Sequence, residues 1–90
     1  DYTIKIWNIE TGECLRTLEE HTHSISALII NNENELISGY LDGTIRIWNI
    51  ETGEILRTFK GEAGSVETLI INNENELISA SNNGTIQILN

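Results

Sequence analysis

The sequence of 90 residues repeats itself with a fixed period of 41, and this period restricts the possible folds more than any other feature. Residues 1–41 and 42–82 are identical at 26 of 41 positions. The opening phrase DYTIKIWN returns as DGTIRIWN at 42–49 and as NGTIQILN at 83–90. Periods of about 20 to 50 residues are typical of solenoids and propellers. We therefore expect one unit built twice, with a partial third copy at 83–90.

Short apolar runs separated by polar turns indicate that each copy is made of β-strands. The runs are rich in Ile, Val, Thr and Trp, and clusters of Asn, Gly, Asp and Glu divide them. Residues 44–48 alternate between apolar and polar, whereas residues 27–30 are apolar at successive positions. We expect the latter strand to be covered on both faces. The pattern predicts four strands per copy and no helix.

The turn residues support this count. Asp42-Gly43 and Asn83-Gly84 are pairs that favour tight hairpin turns, because glycine adopts a positive φ without steric cost. Glycine comes last in the turns at 10–12 and 51–53, which favours a type I turn closed by a left-handed residue. The loop at 31–34 is rich in Asn, which tolerates that conformation.

The repeat resembles the WD-repeat β-propeller family over nearly the whole chain. The resemblance rests on LxxHxxxI at 18–25, LISG at 36–39 and DGTIRIW at 42–48, in that order. It implies an all-β fold of four-stranded antiparallel blades, about two per chain. The strand order is then c, d, a, b, c, d, a, b, c, where a is innermost, with one complete blade at about 24–59. It also implies a scaffold for protein–protein interaction without catalytic activity.

The resemblance further implies a hydrogen-bonded tetrad that holds one blade together, made of His21, Ser38, Asp42 and Trp48. An imidazole, a hydroxyl and an indole N–H can each donate a hydrogen bond to a carboxylate. The pattern is lost in the next copy. There the corresponding residues are Glu62, Ser79, Asn83 and Leu89. We expect that blade to be less rigid.

Two blades are too few for a closed propeller, which needs roughly four to eight. Bare apolar faces and unpaired strand edges favour association, so we expect a homo-oligomeric ring: a trimer with six blades or a tetramer with eight. Two blades need eight strands and the order has nine, so one terminal c strand is surplus. Asp1 and Trp7 keep the family pattern and Asn83 and Leu89 do not, which favours the N-terminal strand. The alternative is that the chain is a fragment of a longer WD-repeat protein.

The charge is acidic, with 5 basic and 14 acidic side chains and a net charge of −9. Nucleic acid is excluded as a partner because phosphate contacts need clusters of Lys and Arg. Glu33, Glu35, Glu74 and Glu76 are expected to form an acidic rim whose charges serve solubility. The alternative is that this rim attracts basic peptides or proteins. Two further alternatives are a sugar-binding propeller and an engineered or recently amplified unit without a ligand.

The sequence gives no pattern for catalysis, a cofactor or a metal site. Cys14 is the single cysteine, so no intrachain disulfide forms, and His21 and His23 are too few for a structural zinc site. The longest apolar run is far short of the roughly 20 residues of a membrane span. We expect a soluble, cytoplasmic protein of a reducing compartment.

Overall fold

The computed structural model describes residues 3–19, 24–60 and 64–89, and within these ranges the chain consists of β-strands joined by turns. The nine strands of this part of the chain are β1 (Thr3–Trp7), β2 (Cys14–Glu19), β3 (Ile25–Ile30), β4 (Glu35–Tyr40), β5 (Ile45–Asn49), β6 (Ile55–Phe59), β7 (Val66–Ile71), β8 (Leu77–Ser81) and β9 (Ile86–Leu89). They form a two-stranded first sheet (β1-β2), a four-stranded middle sheet (β3-β4-β5-β6) and a three-stranded third sheet (β7-β8-β9). Every pairing is antiparallel. The predicted all-β fold class is confirmed.

The turns adopt the predicted conformations. Gly12 and Gly53 both have φ of +79°, the left-handed conformation predicted for the last residue of each turn. A separate register shift lies in the adjoining strands, between Ile6 and Trp7 and between Ile47 and Trp48. The Asn49 side chain stabilises the turn between β5 and β6, because its Oδ1 accepts from the backbone N–H of Glu51 (2.9 Å) and Thr52 (3.1 Å).

The three sheets stack face to face, and the alternation of side chains in the middle sheet decides which neighbour each residue contacts. Leu36 and Trp48 lie on one face and pack against Ile4 and Leu18 of the first sheet. Ile37 and Ile45 lie on the other face. They pack against three residues of the third sheet: Val66, Leu69 and Leu77. The core thus consists of two layers, one on each side of the middle sheet.

The middle and third sheets approach most closely near their inner strands. A Cβ added at Gly39 would lie 2.6 Å from Val66 Cγ1 and 2.9 Å from Val66 Cβ, so only glycine permits this separation. The hydroxyl of Ser26 donates to the Val66 carbonyl at 2.6 Å and links the two sheets directly.

The expectation that residues 27–30 are covered on both faces is wrong for β3. Leu28 and Ile30 are 52% and 53% exposed. Their equivalent in the second copy behaves differently, because Leu69 is 7% exposed. The first sheet has only β1 and β2, which are equivalent to the outer strands β5 and β6 of the middle sheet. It has no counterpart of β3, so within the described structure nothing covers Leu28 and Ile30 on β3. In β7 the middle sheet supplies that cover.

Candidate self-association site

A buried hydrogen-bonded chain joins three side chains of the middle sheet. Trp48 Nε1 donates to Ser38 Oγ at 2.9 Å, and Ser38 Oγ donates to Tyr40 OH at 2.9 Å. The three residues are 2%, 0% and 1% exposed. Burial raises the pKa of Tyr40 above its ordinary value of 10.0. The Arg46 guanidinium lies over the Tyr40 ring, 5.5 Å from its centroid.

This chain contains two of the four residues of the implied tetrad. Asp42 is exposed, and its Oδ1 accepts from the Thr44 backbone N–H at 2.9 Å. His21 lies outside the described residues, so the tetrad as a whole stays a prediction. Tyr40 was missed by the sequence reasoning. Strand alternation could have identified it, since Tyr40 is two residues from Ser38 and shares its face.

The third sheet has no such chain, because Leu89 occupies the position of Trp48 and Ser81 that of Tyr40. The equivalent of Ser38 is Ser79, which is 6% exposed. Within residues 3–19, 24–60 and 64–89 its hydroxyl makes no hydrogen bond. A cleft of about 250 Å³ lies beside Leu89, between the middle and third sheets. The interface of the middle sheet with the third sheet is thus incompletely filled beside Leu89.

The two ends of the stack expose residues that are buried inside it in the other copy. On the first end face Trp7 is 55% exposed, while its equivalent Trp48 is 2% exposed. On the last end face Ile86 is 68% exposed, while its equivalent Ile45 is 2% exposed. The chain therefore shows, in its own interior, how each end face is covered when another sheet packs on it.

The predicted acidic rim divides into two kinds of residue. Glu33 and Glu74 are exposed. Glu35 and Glu76 are half-buried, and one carboxylate oxygen of each accepts from a loop amide, Asn31 Nδ2 (2.8 Å) and Asn72 Nδ2 (2.9 Å) respectively. The two loops lie side by side. The backbone N–H of Asn32 donates to Asn75 Oδ1 at 3.4 Å.

No group of three or more His, Cys, Asp or Glu side chains in the described part of the chain is placed to hold a metal ion. The same residues include no helix with the length and hydropathy needed to cross a bilayer.

Stacked antiparallel sheets with an inner and an outer edge strand define a segment of a β-propeller. The family model for the WD domain, G-beta repeat, matches residues 12–49 and 53–90. The chain belongs to this WD40 repeat family, as the resemblance of its motifs implied.

The related proteins share parts of the chain. An uncharacterised WD repeat-containing protein of Schizosaccharomyces pombe is 46% identical over 43 residues, which is 47% of this chain and 12% of that protein. Coatomer subunit beta'-2 of Arabidopsis thaliana is 46% identical over 33 residues, 37% of this chain and 4% of that protein. The chain thus spans a small part of the length of these relatives.

Solved structures match over almost the whole chain. The WD40 β-propeller domain of Doa1 superimposes with a TM-score of 0.88 at 26% identity, and covers 96% of this chain and 29% of that one. The computationally designed Ika4 protein gives 0.81 at 38% identity, over 93% of this chain and 51% of that one. The designed Ika8 protein gives 0.81 at 38% identity, over 94% and 26%.

Proposed function

We propose that this chain is a non-catalytic β-propeller scaffold for protein–protein interaction, and that it closes its ring by binding further copies of itself. The comparison between the two repeats carries the proposal, because Trp7 and Ile86 are exposed at the two ends of the stack while their repeat equivalents Trp48 and Ile45 are buried in its interior. Burial of such apolar surface is favourable by about 25 cal/mol per Å². Three copies would give six blades and four would give eight, both within the usual range of about four to eight.

The test is the mass of the assembly in solution, measured by native mass spectrometry and light scattering over a range of concentrations. We expect a trimer or a tetramer. The variant Leu28→Lys places a charge on the part of the middle sheet that the first sheet leaves uncovered, and Ile70→Lys places one on the last end face, where Ile70 is 49% exposed. Each variant should block assembly without unfolding the chain, because both side chains are half-exposed in the single copy.

Leu15→Lys is the matched control. Leu15 on β2 is 47% exposed and its repeat equivalent Leu56 is 43% exposed, so neither depends on a neighbouring sheet in the same way. This variant should assemble like the parent. A parent chain that stays monomeric at all concentrations would refute self-closure, and it would favour coverage of these faces by further repeats of a longer chain.

We further propose that the interaction partners of the ring are basic peptides or proteins that contact the acidic rim. The net charge of −9, the exposure of Glu33 and Glu74, and the contact between the two loops support this. Around a ring the rim would be repeated in every copy, which raises the local negative potential. Long-range attraction of this kind weakens as salt is added.

An array of basic peptides tests the rim. We expect binding that weakens with salt and that is lost in the double variant Glu33→Gln/Glu74→Gln. Glu67→Gln changes the charge by one unit away from the rim loops and should keep the binding. If no peptide binds while a closed ring persists, the rim serves solubility.

A second candidate function is a recently amplified or engineered unit that has no ligand. The identity of 26 of 41 positions between copies and the similarity to two designed propellers favour it. A stable ring that binds neither peptides nor glycans would support this candidate over the first.

A further inference from the structure

In a ring built from this chain, two copies share a blade for which there are two candidate third strands. The third sheet of one copy provides β7, β8 and β9, and the first sheet of the next copy provides β1 and β2. A blade has room for one strand from the pair β1 and β9, because the two are repeat equivalents. One of them must leave the sheet.

We propose that β1 of the second copy replaces β9 in this shared blade, and that the Trp7 indole fills the cleft beside Leu89 and donates a hydrogen bond to the Ser79 hydroxyl. This inference rests on the proposed ring. It assigns Trp7 and Ser79 to one intermolecular contact.

The strand registers place the two residues together. In the middle sheet Trp48 pairs with Leu36, and its indole reaches Ser38 two residues further along β4. In the third sheet Leu89 pairs with Leu77 in the same register. When β1 takes the place of β9, Trp7 takes the position of Leu89, and its indole then lies over Ser79 as that of Trp48 lies over Ser38.

The cleft has the position that an indole requires, and part of its lining is apolar. Ile47, Phe59, Leu77 and Leu89 belong to this apolar part, and five polar residues also line the cleft: Asn31, Glu33, Glu35, Arg57 and Asn75. The repeat equivalents of three of the apolar residues, Ile6, Leu18 and Leu36, belong to the cluster around Trp48. Its volume of about 250 Å³ is near the lower end of the roughly 300 to 1,000 Å³ of small-molecule pockets, and the repeat already shows an indole in the equivalent place. A side chain is therefore a better occupant than a separate ligand.

Ser79 provides a second and independent observation. Ser79 is 6% exposed, and its hydroxyl has no hydrogen-bond partner in the described ranges; the hydroxyl is not sealed from solvent, so it is available to a donor. Ser79 lines a further cavity of about 10 Å³, together with Ser81 and Gln87. An indole N–H would satisfy the hydroxyl as it does in the middle sheet.

The exchange loses little that β9 provides. Ile86 and Ile88 of β9 are replaced by Ile4 and Ile6 of β1, so the face toward the next sheet keeps the same side chains. β1 pairs with β2 alone within the described structure, which leaves its other edge open for β8. The shared blade gains the buried surface of Trp7, which is 55% exposed in the single copy.

Proline substitutions at equivalent positions of the two strands test the exchange. Ser81 N donates to Thr85 O at the start of the β8–β9 hairpin, and the antiparallel alternation then directs the Gln87 amide toward Ser79. By the same pattern the Lys5 amide points away from β2, toward the open edge of β1. Proline removes this donor. Lys5→Pro therefore spares the pairing of β1 with β2.

The expected result is that Gln87→Pro forms the parental ring and Lys5→Pro does not. The reverse result would overturn the inference and leave the proposed ring intact, with β9 as the third strand. A parent chain that forms no ring would refute the proposed function itself. The two failures are thus distinguishable by mass alone.

Tryptophan fluorescence supplies a readout that does not depend on a loss of assembly. In Trp48→Phe, Trp7 is the one remaining tryptophan. Its emission should shift to shorter wavelength as the ring forms, because the indole becomes buried. An unchanged emission between single copy and ring would overturn the inference. Ser79→Ala should weaken assembly about fivefold, the equivalent of one hydrogen bond of about 1 kcal/mol.

Discussion

Replacing Trp48 by Ala should destabilise the chain far more than the equivalent change Leu89→Ala. Trp48 is 2% exposed and packs against Ile4, Leu18 and Leu36, so its removal leaves a cavity between the first and middle sheets. Truncation of buried aromatic side chains costs about 3–5 kcal/mol. Leu89 is half-buried and borders a cleft that already exists, so its truncation should cost about 1–2 kcal/mol, below the usual range for a buried leucine.

The hydrogen bond makes a separate, smaller contribution. In Trp48→Phe most of the packing remains and the bond to Ser38 is lost, whereas the Ser38 hydroxyl keeps its bond to Tyr40. We expect a loss of about 1 kcal/mol for this variant. The order of stability should therefore be parent, Trp48→Phe, then Trp48→Ala.

Urea unfolding followed by far-ultraviolet circular dichroism measures these differences, with all chains at one concentration because assembly adds to apparent stability. A total stability of about 5–13 kcal/mol is expected for a domain of this size, so Trp48→Ala needs a stabilising osmolyte in the buffer. The reasoning is refuted if Trp48→Ala loses no more stability than Leu89→Ala. That outcome would mean that the indole is not the central packing element between the first two sheets.

Three further predictions concern the middle sheet. Gly39→Ala should destabilise by about 1–3 kcal/mol, because the new methyl group meets Val66, and a double-mutant cycle with Val66→Ala should recover part of the loss. Ser26→Ala removes the hydroxyl that bonds to the Val66 carbonyl and should cost about 1 kcal/mol in the same unfolding assay. Because the pKa of Tyr40 is raised by burial, the folded state holds this proton more firmly than the unfolded state. The contribution of the Tyr40 hydroxyl to stability is complete below pH 10 and is lost as the pH rises through the folded pKa. The free energy of unfolding of the parent should therefore fall above pH 10, and an equal fall in Tyr40→Phe would contradict this.

The sequence was sufficient for the strands and turns because local patterns decide them. The alternation at 44–48 and the glycines at 12 and 53 depend on neighbours close in sequence, and the structure agrees with both. The coverage of Leu28 could not be predicted in this way. Its burial depends on whether a sheet lies beyond it, and the repeat pattern is the same whether or not one does.

The candidate site was predictable in part. The Trp48–Ser38 contact followed from the family resemblance, and the end faces followed from the number of blades. Tyr40 was missed because the family pattern includes no residue at that position, and the second copy has Ser81 there. The missing partner of the Ser79 hydroxyl needed coordinates, since residues 31–38 and 72–79 are identical and both end in the serine.

The contact at Gly39 has a consequence for the geometry of any closed assembly. At the inner side of the interface between the middle and third sheets, Gly39 has no side chain and the two sheets are in contact. At the outer side the sheets are separated by the cleft, so the planes of successive sheets are inclined to each other. The inclination per sheet fixes how many sheets complete a full turn. A methyl group in place of the hydrogen at Gly39 would reduce this inclination, and a closed ring would then need a larger number of blades.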